Sequence, residues 1–145
     1  MNRFPPPTEL LPHAGRAILI DAVLEDSPTH TLATAEITAT HPYFEPDRGV
    51  PVWVGMEMMA QAVAAHGGLL NHTHGQPPRR GMLLGTRRYA GRVPYFTPGM
   101  RLHILARLAF GEPGGGMAAF DCRIDSADTL LVEASLTIIE ETGDA

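Results

Sequence analysis

The stretch from Trp53 to Asn71 constrains this chain more than any other part of it. Trp53, Val54, Met56, Met59, Ala60, Val63, Ala64, Leu69 and Leu70 leave almost no polar face, and only Glu57, Gln61, His66 and the terminal Asn71 interrupt them. A run of that length exceeds an ordinary strand, so the spacing predicts a helix over 53–71. A helix that is apolar nearly all round must be buried. The rest of the chain therefore has to enclose it. Pro51 stands where a first-turn proline is tolerated, and Gly67-Gly68 weaken the last turn.

The enclosing material reads as a sheet. Residues 17–24 and 31–38 before the helix are rich in apolar and β-branched side chains, as are 82–88, 100–110, 117–124 and 130–140 after it. Asp26-Ser27-Pro28, residues 95–99, residues 112–116 and residues 125–128 carry turn chemistry. Thr8-Glu9-Leu10-Leu11-Pro12 is a short helical turn stopped by its proline. The expected order is two strands, one helix and a meander of four strands, an α+β chain in which the sheet wraps the helix. The 145 residues make one domain, 1–145. A lone sheet has open edges, which such folds protect by edge-to-edge pairing, so a dimer is expected.

Composition narrows the function classes. A net charge of -5 argues against a general nucleic-acid binder. Every cationic side chain is arginine, and Arg79, Arg80, Arg87, Arg88, Arg92, Arg101 and Arg107 crowd one stretch. Singly they read as solvated surface. Together they could attract an acidic partner, and the planar guanidinium suits oxyanions. No apolar run approaches the ~20 residues of a membrane span, and the first residues lack a signal-peptide stretch. The cytoplasm is the expected compartment, with no membrane contact. Cys122 is alone, which rules out an internal disulfide, and its alternating apolar surroundings make it a core residue. His72-x-His74 has no acidic or cysteine ligand nearby, so a loop is expected there rather than a metal site. No cofactor is implied.

Several motifs carry a family resemblance. Glu9-Leu10-Leu11-Pro12-His13 followed by Ile18-Leu19-Ile20-Asp21 resembles the opening of the 3-hydroxyacyl-[acyl-carrier-protein] dehydratases. Pro42-Tyr43-Phe44 is similar to the proline and paired aromatics before that family's active-site loop. Glu57-Met58-Met59-Ala60-Gln61 resembles its central-helix signature, and Leu84-Gly85, Arg92-Val93-Pro94 and Thr97-Pro98-Gly99 resemble its later strand and turn. These pieces occur in order over nearly the whole chain. The resemblance implies a hotdog fold and chemistry on acyl thioesters, with an acyl-carrier protein delivering the substrate on a phosphopantetheine arm. One feature departs from the pattern. Residues 45–51 replace the family's histidine-bearing loop and contain no histidine, Asp47 being the nearest equivalent. His41 precedes the aromatic pair rather than following it, and His66 reads as an ordinary satisfied histidine. The variant pattern is most similar to the diverged dehydratase-like subunits of aryl-polyene pigment pathways, which work beside a second, histidine-bearing hotdog protein.

Dehydrating a 3-hydroxyacyl thioester needs a base for the α-proton, an acid for the departing hydroxyl and donors for the enolate-like oxygen. The start of a buried helix offers free backbone N–H groups, and the resemblance puts Val52 and Trp53 there. Glu57, about one turn in, is expected to be buried and to act as the acid, since burial favours a carboxyl that still holds its proton near neutral pH. A purely structural pairing with an arginine such as Arg48 is the alternative. Gln61 lies one turn further on the same face and either orients Glu57 or is a satisfied amide. Trp53, Met56, Met58, Met59, Tyr43 and Phe44 are candidates to line the acyl site, although methionine at helical spacing is more often core. The base is absent from the expected site: a homodimer would carry Glu57 twice and the family's histidine never, a heterodimer could pair Glu57 with a partner's histidine, and either assembly is open. A non-catalytic hotdog partner subunit and a hotdog acyl-thioesterase fit the same residues.

Overall fold

The fold is built from a computed structural model that describes residues 3–13, 15–73, 75, 81–111 and 116–140. Helix α1 (Pro7–Leu10) is one turn, begun by prolines and ended before Pro12. Strands β1 (Ala22–Ser27) and β2 (His30–Glu36) form a hairpin. The short strand β3 (Val50–Pro51) leads through a 3-10 turn, Val52–Val54, into the long helix α2 (Gly55–Thr73). After it come β4 (Gly81–Gly91), the short β5 (Tyr95–Phe96), β6 (Arg101–Gly111), β7 (Met117–Ser126) and β8 (Thr129–Glu140).

The main sheet has six antiparallel strands in the order β1-β2-β6-β7-β8-β4. The helix lies against its concave face, packed chiefly on β6, β2 and β7. Met58, Met59, Ala62 and Ala65 on α2 are fully buried, as are Leu102, Ile104 and Ala106 of β6 and Ile124 and Leu136 of the next strands. Each large apolar side chain removed from water this way contributes about 1.5–3 kcal/mol. Bulges interrupt the ladders at Val23/Glu25, Leu83/Gly85, Thr86/Arg88 and Leu108/Phe110. A bulge bends its strand and sharpens the twist, and that is how the sheet curls round one helix. This is the hotdog arrangement, an α+β fold.

Two expectations change. Residues 17–21 are not strand: Gly15–Ala17 is a 3-10 turn and the ladder begins only at Ala22. Leu19 and Ile20 are buried all the same. Leu19 N–H is held by Gln61 of the helix rather than by a neighbouring strand, so apolar character there signalled burial and not pairing. The four later strands are also not one meander. β6, β7 and β8 are, but β4 pairs with β8 while β6 pairs with β2 over His30↔Arg107 to Glu36↔Arg101. Residues 95 and 96 do not close a hairpin. They pair with Val50 and Pro51, which carries the chain away from β4 and hands β6 to the open side of β2.

Candidate active site at the start of the helix

The β3–β5 ladder fixes where α2 begins. Gly49 has φ 109°, and a side chain there would strike the Phe96 carbonyl, so only glycine lets the two segments meet. Val52 N–H donates to Pro94 O at 3.0 Å, and the Tyr89 hydroxyl of β4 donates to Val52 O. A Cβ on Gly55 would run into that hydroxyl and lie 3.1 Å from the Phe96 ring. The missing side chain thus lets the helix start sit directly on β4. Burial pushes the Tyr89 phenol well above its usual range, which suits a fixed donor.

Glu57 lies in the first turn of α2. The expectation that it is buried fails: its side chain is 48% exposed in the isolated chain. The adjoining turns of the helix bury Met58 and Gln61 against the sheet and leave position 57 toward the open side. The pairing with Arg48 fails as well. Arg48 donates to the Tyr95 hydroxyl at 3.2 Å, which in turn donates to Glu45 at 2.9 Å. What Glu57 meets is His13, whose Nε2 stands 3.3 Å from Oε1. Gln61 Nε2 donates to the same oxygen at 3.4 Å.

Gln61 is fully buried and its amide is satisfied. Its Oε1 accepts from Leu19 N–H at 2.7 Å and its Nε2 donates to Ala17 O at 2.7 Å, stapling residues 17–19 to the helix. The contact with Glu57 is the third. A neutral amide carries two donors and an accepting oxygen, so it can hold backbone and carboxylate at once.

Of the remaining candidates, the structure brings Tyr43 and Trp53 together, edge to face with centroids 5.6 Å apart. Both are exposed, Trp53 by 60%. Phe44 and Met56 are half-buried against the core, with Thr86 of β4 donating to Met56 Sδ at 3.5 Å. Val52 is a correction: its N–H is committed to Pro94, so it is no free donor for an oxyanion. Trp53 remains. Asp47 is exposed, with φ 67°, in the tight turn closed by Gly49 N–H donating to Glu45 O at 2.9 Å. His66 donates to or accepts from Thr31 at 2.8 Å and packs on Phe120, a buried and satisfied histidine.

A half-open cavity of about 190 Å³ lies on the other side of residues 16–21, lined by Arg16, Asp21, Glu36, Thr38 and His41 among others, and it includes none of the expected site residues. Burial lowers the proton affinity of His41, with Asp21 opposing and Arg16 adding to the effect. The arginine cluster does not form one patch among the described residues. Arg101 and Arg107 lie six positions apart on β6, roughly 20 Å, and Arg88 is on β4, three strands away. Arg92 pairs with Glu133 and Arg101 with Glu36. Arg79, Arg80 and the side chain of Arg87 lie outside the described residues, as does His74. Cys122 is buried and its thiol is pushed up to about 12 by burial and by Asp121, an inert core residue. Among the described residues no three potential ligands gather to hold a metal ion. No helix among them is long and apolar enough to cross a membrane.

His13 is the neighbour of Glu57 that sequence reasoning missed. Pro12 ends α1 and turns the chain back, and only the docking of that turn on α2 brings position 13 to position 57. Its place directly after the Leu-Leu-Pro turn was the available signal.

The comparisons with known proteins agree with this architecture. No curated protein matches the sequence. Among solved structures, the dehydratase heterocomplex ApeI:P from Xenorhabdus doucetiae matches with a TM-score of 0.90 and 27% identity, over 97% of this chain and 94% of the other. A hypothetical thioesterase with coenzyme A from Streptococcus pneumoniae matches at TM-score 0.63 and 10% identity, over 82% and 84%. A thioesterase from Haemophilus influenzae matches at 0.63 and 11%, over 85% and 80%. The last two are likenesses of fold alone. The ApeP-like family, described as ApeP dehydratase, matches residues 5–145. The chain belongs to that family, a hotdog, dehydratase-like group related to aryl-polyene pathways.

Proposed function

We propose that this chain is the acid-bearing subunit of a dehydratase that acts on 3-hydroxyacyl thioesters tethered to an acyl-carrier protein, in fatty-acid or polyene synthesis. The observation that carries the proposal is Glu57: a carboxyl in the first turn of the central helix, held on one oxygen by Gln61 and open on its outer side. Its half-exposure in the single chain fits a site that a second subunit covers. β4 is an edge strand, and Met56, Gly55 and Val52 at the helix start all touch it through Thr86, Tyr89 and Gly91. A partner strand added to that edge would lie about 4.8 Å away, bringing partner side chains to the helix start. The likeness to a subunit of the ApeI:P heterocomplex supports a hotdog partner of a different sequence.

In the reaction, the partner's histidine removes the α-proton of the 3-hydroxyacyl thioester. The Trp53 N–H at the helix start stabilises the enolate-like oxygen. Glu57 gives its proton to the departing hydroxyl, the C–O bond breaks, and water and the 2-enoyl thioester leave. Tyr43 and Trp53 offer an apolar wall for the acyl chain, with Met56 and Phe44 behind it.

The test is an assay of the purified chain on a 3-hydroxyacyl-pantetheine, alone and with a histidine-bearing hotdog partner. Turnover is expected only from the pair, and Glu57→Gln should lower it by about 10²-fold or more, the scale of general acid catalysis. Unchanged turnover in that variant removes Glu57 from the chemistry. Release of free thiol in place of enoyl product would point to a thioesterase.

A further inference from the structure

We infer that His13 is a positioning residue for Glu57, and that together with Gln61 it makes Oε2 the oxygen that carries the proton. This rests on the role proposed for Glu57. The Nε2 atoms of His13 and Gln61 approach the same oxygen, Oε1, at 3.3 and 3.4 Å. The other imidazole nitrogen decides which one bears the hydrogen. His13 Nδ1 is buried and has no hydrogen-bond partner. A buried N–H left unpaired costs more than a bare acceptor left unpaired, so the neutral ring keeps its hydrogen on Nε2, facing Glu57. Both neighbours of Oε1 are then donors. A carboxylic acid whose Oε1 accepts two such contacts is in effect locked with Oε1 as its carbonyl oxygen, and its proton resides on Oε2. The contacts are long in the unliganded chain, as catalytic hydrogen bonds often are, and tighten when substrate closes the site.

The chain of supports runs back into the fold. Gln61 is fixed by Leu19 and Ala17, and His13 by the turn that Pro12 imposes on α1. Gly68 lets that turn approach the helix, because a side chain there would strike the Leu10 carbonyl.

The test uses the chain in complex with a histidine-bearing partner and compares His13→Leu with His13→Gln, whose amide nitrogen stands where Nε2 stood. For a group that only orients the acid, His13→Leu should lower kcat about tenfold with KM within about twofold, and His13→Gln should recover most of the loss. Equal activity of wild type and His13→Leu, or equal loss in both variants, overturns the role. A readout free of activity is the imidazole NMR signal of His13 at fixed pH. It should move in Glu57→Gln, and an unmoved signal overturns the contact even if the complex proves inactive. If Glu57→Gln leaves turnover intact while the signal moves, the function proposed for Glu57 fails and the His13–Glu57 pairing stands without a catalytic role.

Discussion

At the scale of single residues, the site is set by which polar groups have partners. His41 is half-buried: Nδ1 accepts from Tyr43 N–H at 3.1 Å, while Nε2 is buried and unpartnered. Burial lowers its proton affinity below the usual value, so the unfolded chain binds the proton more readily than the folded one. Stability from this group is therefore complete above the ordinary histidine value of about 6.5 and is lost as pH falls from there through the lower folded value. His41→Asn keeps an acceptor for Tyr43 without titrating. Urea unfolding should show the wild type losing more stability than His41→Asn between about pH 7.5 and 5.5, and parallel losses would remove this account. Gly55 gives a second test. Gly55→Ala should cost about 1–3 kcal/mol through overpacking against the Tyr89 hydroxyl. In a Tyr89→Phe background the cost should shrink, because the clashing atom is gone; identical costs in both backgrounds would show that the strain lies elsewhere.

At the scale of elements, one amide does the work that a strand partner does elsewhere. Residues 18–21 are apolar enough for a strand, yet Leu19 N–H and Ala17 O are satisfied by Gln61. Gln61→Leu would leave Leu19 N–H unpaired in a buried setting, while Ala17, which is exposed, can turn its carbonyl to water. The substitution should cost about 1–3 kcal/mol. Chemical denaturation measures this. A loss below about 0.5 kcal/mol, the usual size for surface changes, would mean that water replaces the amide. The helix start obeys the same logic. Pro51 opens it, Pro94 O accepts its first amide, and Gly49 and Gly55 admit the neighbouring segments.

At the scale of the whole molecule, the apolar surface left open is not spread evenly. Trp53 and Tyr43 gather at the helix start. A second group, Phe110, Met117 and Ile139, lies at the far end of the strands, where Met117 and Ile139 are register partners on β7 and β8. Trp53 is the only tryptophan in the sequence. Its fluorescence should therefore report solvent exposure in the isolated chain and move to shorter wavelength when a partner subunit covers the helix start. If a partner binds and the emission stays put, that partner covers a different face.

The sequence by itself determined the hotdog architecture. A helix with no polar face must be enclosed, and the alternating stretches around it can enclose it only as a curved sheet. It also marked Glu57 and Gln61, because polar side chains are conspicuous on an apolar helix. Burial was harder to read: a helix packed on one sheet leaves one side open, and position 57 faces that side, so its exposure depends on the helix's rotation against the sheet. Tertiary structure alone decided that β4 pairs with β8, that Val52 spends its amide on Pro94, and that His13 meets Glu57 across 44 positions. Those outcomes depend on long-range packing and on which backbone groups find partners; the Leu-Leu-Pro turn marked His13 itself but not the residue it meets.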